Sequence, residues 1–95
     1  MAYVHFIWDE EDDHEGNVAH FAEHGVTMEE AEEVLLDRKS ETEISRSSGN
    51  YITFGWTSAG RHLAIVWQHV MDDPRTIRPV TGYETEPRRR RRRKR

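Results

Sequence analysis

The stretch "NYITFGWTSAGRHLAIVWQHV", residues 50–70, decides the fold class. Two runs rich in β-branched and aromatic residues flank Ser58, Ala59 and Gly60, and a short Gly-containing break between such runs marks a hairpin rather than a helix. Alternation in the second run places Arg61, Leu63, Ile65, Trp67 and His69 on one face and His62, Ala64, Val66 and Gln68 on the other. Upstream, "ETEISR" (41–46) precedes another turn signal at Ser47, Ser48 and Gly49, and downstream "TIRPVTGYE" (76–84) follows the turn "MDDP" (71–74), so both read as further strands. Pro79 has no amide hydrogen to give to a ladder, which predicts that its strand lies at an edge, starts late or carries a bulge.

The N-terminal third changes period. "YVHFIW" predicts a first strand over Tyr3 to Trp8. Asp9, Asp12 and Asp13 offer N-cap oxygens for a helix over about residues 13–23, with Val18, Phe21 and Ala22 as its apolar stripe and Gly25 as its end. Thr27 with Glu30 three residues on forms a capping box, because hydroxyl and carboxylate can each accept the other residue's amide hydrogen. A second helix follows over 28–37, with Met28, Ala31, Val34 and Leu35 at helical spacing and an acidic first turn that suits the positive end of the helix dipole. The predicted order is β-α-α-β-β-β-β: an α+β domain over residues 1–87 with two N-terminal helices packed on an antiparallel sheet of four to five strands.

Charge divides the chain. It ends in "EPRRRRRRKR", yet its net charge is -4. The tail, residues 88–95, holds eight of the 14 Lys and Arg; the remaining six face 18 Asp and Glu, a body charge of -12. A block of like charge repels itself and has no apolar face, so residues 88–95 are expected to be disordered when free. Such a tail can grip an external polyanion or fold back on its own acidic surface. The body fits one domain with one core, burying about 60–65% of its unfolded surface. Without cysteine there is neither a disulfide framework nor a thiolate zinc site. The longest apolar run, "LAIVW" (63–67), falls far short of the ~20 residues of a membrane span. "MAYVHFIWDEE" lacks a signal-peptide pattern, which predicts a cytoplasmic protein with no membrane partner.

Two constellations could carry chemistry. His20 and His24 are four apart and share a helix face, but His14 does not continue that face, Phe21 stands where a zincin has glutamate, and two ligands alone do not make a metal site. A histidine near a helix C-terminus is also favoured by the dipole alone. On the sheet, Arg61 or His62 could lie beside Arg78 or Tyr83 on an open face. Ribonuclease chemistry without a metal needs a base for the 2′-hydroxyl, an acid for the leaving oxygen and a cation for the phosphorane, roles that His, Tyr, Arg and Glu can fill. Exposed strand cations are more often simply solvated. Of Trp8, Trp56 and Trp67, which could stack bases, at least two are expected in the core. No phosphate loop, nucleophile elbow or dinucleotide fingerprint occurs.

Several segments together resemble the BrnT family of type II toxin-antitoxin systems, small ribonuclease toxins with a RelE-like fold. They are "FIWDEED" (6–12), Asn17, "EHGVTMEEAEEVLLD" (23–37), "GWTSAGRHLAIVW" (55–67) and "IRPVTGYE" (77–84), spanning about Tyr3 to Glu84. The resemblance implies mRNA cleavage without metal or other cofactor, and neutralisation by an antitoxin with a ribbon-helix-helix part; a homodimer is left open. Family positions carried over are Trp8, Asp9, Asn17, His24, Gly25, Arg61 and Arg78. On a toxin reading of this chain, His24 or Tyr83 would handle protons, Arg61 and Arg78 would stabilise phosphate charge, and Arg88, Arg89, Arg90, Arg91, Arg92, Arg93, Lys94 and Arg95 would bind RNA. Departures are Glu23 in place of a basic residue, Tyr83 in place of an arginine, and the arginine run in place of a C-terminal helix. Each of the first two removes positive charge from the body. The alternative to a toxin is a non-catalytic interaction protein on the same fold, its acidic body binding a basic partner or its own tail.

Overall fold

The computed structural model describes residues 4–87, so Tyr3 and the expected disorder of residues 88–95 lie outside the described residues. The elements are β1 (His5–Phe6), α1 (Asn17–Glu23), α2 (Met28–Leu36), β2 (Glu41–Ile44), β3 (Tyr51–Trp56), β4 (His62–Asp72) and β5 (Arg75–Glu84). They form the expected α+β layout, with one five-stranded sheet in the order β1-β5-β4-β3-β2. The β2–β3, β3–β4 and β4–β5 pairs are antiparallel. The sheet is nevertheless mixed, because β1 runs parallel to β5 with His5 opposite Thr76 and Phe6 opposite Ile77. No local pattern specifies the direction in which segments so far apart in sequence will pair.

Both N-terminal elements are shorter than the periodicity predicts. Ile7 adds one bond to Ile77 O (3.0 Å) beyond the strand, and Trp8 then turns inward, its indole N–H donating to Glu32 Oε2 at 2.7 Å. Helix α1 starts at Asn17 rather than Asp13 because the acidic segment forms turns instead: Asp13 N donates to Glu10 O, Gly16 N to Asp13 O, and Glu15 N to Asp13 Oδ1. Asp12 and Asp13 are therefore not caps. Gly16 holds the N-cap position without a side-chain cap bond, and Asp9, well upstream, accepts from Asn17 N instead at 2.8 Å. A Cβ on Gly16 would stand 2.6 Å from Asp9 Cβ, so the close approach requires glycine. In α2 the capping box is complete, with Thr27 Oγ1 accepting from Glu30 N and Glu30 Oε1 from Thr27 N, both at 3.1 Å.

The helices cover one sheet face, and the core between the layers holds Phe21, Val26, Ala31, Val34, Leu63, Ile65, Trp67 and Ile77. Trp67 is buried, with its indole N–H donating to Thr53 Oγ1 (2.8 Å) and its ring stacked on Tyr51. Trp8 packs edge-on against Phe21 with ring centroids 5.2 Å apart, whereas Trp56 is 50% exposed. Trp67 thus belongs to the core and Trp8, partly buried, packs against it. Strand β5 lies inside the sheet, between β4 and β1. Its proline is accommodated by a bulge: Trp67 faces Pro79 and Val66 faces Thr81, leaving Val80 as the extra residue. Gly82, opposite Ile65, lets α1 sit close to the sheet, since a Cβ there would lie 2.5 Å from Phe21 Cε1.

Candidate active site at the C-terminal end of α1

His24 is placed by backbone geometry. It is the C-cap of α1, Gly25 follows with φ +73°, Gly25 N donates to Ala22 O and Val26 N donates to Phe21 O. That bond pair is a Schellman motif, which needs the left-handed conformation glycine adopts without steric cost. The His24 ring thereby meets Tyr83 of β5 edge-on, ring centroids 6.2 Å apart. Tyr83 is exposed.

Arg61 reaches the same corner from the β3–β4 turn. Thr57 N donates to Arg61 O, Arg61 N to Thr57 Oγ1, and Gly60 takes φ +90° to close the loop. Alternation put Arg61 on the Leu63 face, and the guanidinium does lie on the helix side rather than on the open sheet face. Its Nη1 donates to Gly25 O (3.1 Å) and to both oxygens of Glu30 (2.9 and 2.8 Å), and its Nη2 donates to Glu84 Oε1 (3.3 Å). Glu30 is thus both the capping carboxylate of α2 and the partner of Arg61. Sequence reading found the first role and missed the second, because a capping box is visible within four residues and Arg61 is 31 residues away. Arg61 contacts Gly25, the residue after His24, and Glu84, the residue after Tyr83, so its guanidinium borders the corner where those two rings meet.

Arg78 does not join them. It lies five residues from Tyr83 on β5, roughly 15 Å along a strand, and forms a two-pronged pair with Asp9, Nη1 to Oδ1 at 3.2 Å and Nη2 to Oδ2 at 2.8 Å. Asp9 also belongs to a polar knot around Asn17, whose Oδ1 accepts from Asp9 N while its Nδ2 donates to Ile7 O and Pro79 O. The knot joins β1, α1 and β5. Residues Arg88 to Arg95 lie outside the described residues. Among the described residues no group of three or more His, Cys, Asp or Glu converges, so His20 and His24 gain no third ligand. No helix among them is long and apolar enough to cross a membrane.

The ion pairs set a pH dependence. The Arg78 hydrogen bond, the Asn17 amide and the charge of Arg78 hold Asp9 below its ordinary value of 3.8. Burial alone would raise Glu30, but the Thr27 amide and Arg61 outweigh it and hold the carboxyl below 4.5. Carboxyls depressed on folding contribute stability that is fully present above those ordinary values and is lost as pH falls through the lower folded ones. The urea midpoint is therefore expected to be level near neutrality and to drop below about pH 4. The Asp9→Asn/Glu30→Gln double variant should start lower and show a flatter acid limb, measured by urea titration across that range.

Chemically, the corner offers two proton-transfer groups, His24 and Tyr83, beside a guanidinium already held by two carboxylates. To meet Arg61 through both terminal nitrogens, phosphate would have to displace Glu30 from Nη1 and Glu84 from Nη2. No family model matches the chain, and no curated protein or solved structure matches it either.

Proposed function

We propose that this protein is a BrnT-like toxin, a metal-independent ribonuclease of a type II toxin-antitoxin system acting on mRNA, with its site at His24, Tyr83 and Arg61. The observation that carries the reading is the approach of His24 to Tyr83 with Arg61 bonded to Gly25 and Glu84 beside them. In this reading His24 takes the 2′-hydroxyl proton, the 2′-oxygen attacks phosphorus, and Tyr83 protonates the departing 5′-oxygen, leaving a 2′,3′-cyclic phosphate and a free 5′-hydroxyl. Arg61 turns from Glu30 to the phosphorane charge. Arg78 remains a structural partner of Asp9, and residues 88–95 collect the RNA. A ribbon-helix-helix antitoxin would neutralise the protein.

The test is cleavage of RNA by the full chain in EDTA. Cyclic-phosphate ends are expected, with His24→Gln reducing the rate at least about 10²-fold while the fold is retained. If all eight tail cations meet phosphate on a single strand, log affinity should fall with log salt at about -0.7 per contact, near -6 in total. Absence of cleavage, together with unchanged bacterial growth on expression without a partner, would sink the reading. That outcome would favour the non-catalytic alternative, which has its own support: Arg61 is already held by Glu30 through Nη1 and by Glu84 through Nη2, and Arg78 is bound two-pronged to Asp9.

A further inference from the structure

A groove of about 1070 Å³ lies away from the His24 corner, between the end of α2, strand β2 and the β3–β4 turn. Its walls are chemically one-sided. Glu33 and Asp37 line it from the end of α2, and Glu41 and Glu43 from β2, against a single Lys or Arg in its lining, Lys39. The last turn of α2 has no basic residue, so the negative end of the helix dipole adds to that field. Its other wall is aromatic. Trp56 is 50% exposed, and the His62 ring meets it edge-on at 4.8 Å. Carboxylates around an open indole suit arginine: the guanidinium stacks on the ring while its N–H groups reach the carboxylates.

The chain itself delivers such a ligand. Thr85 N donates to His62 O (2.9 Å), continuing the sheet past the end of β5. Two residues later Pro87 is part of the groove wall, and Arg88 is the next residue. We propose that this groove is the docking site of the protein's own arginine-rich segment, residues 88–95. Eight residues extend at most about 26–29 Å, and the first of them follows a residue of the groove wall. Attachment at Pro87 makes the encounter intramolecular, at an effective concentration on the order of millimolar, so modest ion pairs suffice. The contact neutralises part of the -12 body charge and shields the cations until a stronger polyanion displaces them. It does not depend on the ribonuclease reading.

The test uses the full chain. It contains no cysteine, so Lys94→Cys accepts one nitroxide label, whose relaxation effect on 15N-labelled protein is read by NMR. At low salt the Trp56 indole and the amides of residues 41–43 are expected to lose their signals while those of α1 keep theirs. The signals should return near 1 M salt, where the screening length is about 3 Å, and in the label-bearing Glu41→Gln/Glu43→Gln variant, whose own spectrum reports that it is folded. The proposal is overturned if the groove signals persist at low salt, if signal loss is uniform, or if it centres on His24. Loss of equal size in a mixture of labelled 14N and unlabelled 15N protein would assign the segment to a second copy and overturn the intrachain contact. Loss that is undiminished at high salt would overturn the charge-based account.

Discussion

Asn17→Ala should destabilise the domain by about 3–6 kcal/mol, since three side-chain hydrogen bonds are lost, each worth about 0.5–1.5 kcal/mol net, and buried partners left unpaired cost about 1–3 kcal/mol apiece. Asn17 is 2% exposed, and its amide makes bonds of 2.8, 2.9 and 2.8 Å to Asp9 N, Ile7 O and Pro79 O. The Pro79 carbonyl stands at the bulge of β5, where the ladder is already interrupted. A domain of this length has a net stability of about 5–14 kcal/mol, so the variant should be partly unfolded at moderate urea. Asn17→Asp retains the shape and loses both donors, and is expected to fare no better. Urea melts followed by circular dichroism decide the matter; a loss under about 1 kcal/mol would mean that the knot is replaceable by solvent.

Phe21→Ala is expected to cost about 3–5 kcal/mol, the range for deleting a fully buried aromatic ring. Phe21 has no exposed surface, meets Trp8 edge-on and sits over Gly82, a site with no side chain of its own to refill the space. Its carbonyl also accepts from His24 N and Val26 N, so loosening this turn should free the His24 ring. Calorimetry measures the first effect. The second should appear as a smaller shift of the His24 ring signals when Tyr83 is replaced in the Phe21→Ala background than in the parent.

Much of the architecture is legible locally. The hairpin around Ser58, Ala59 and Gly60, the Thr27–Glu30 box and the stop at Gly25 all depend on residues within a few positions of one another. The start of α1 is not legible in this way: Asp9, Asp12 and Asp13 are all good N-caps by type, and only Asp9, held by Arg78 from far along the chain, takes the first helical amide. The candidate site was legible as residue types and not as a constellation. His24 and Tyr83 meet and Arg61 bonds the residue that follows each, whereas Arg78, of the same type as Arg61, is committed to Asp9 elsewhere.

By itself the sequence determined the α+β class, both helices, the four C-terminal strands and the division into an acidic body and a basic tail, because periodicity, capping and charge are properties of neighbours. The parallel β1, the interior position of β5 with its bulge, and the partners of Arg61 and Arg78 were decided only by tertiary structure. A guanidinium binds whichever carboxylate packing brings within reach: for Arg61 that is Glu30, 31 residues away, and for Arg78 it is Asp9, 69 residues away.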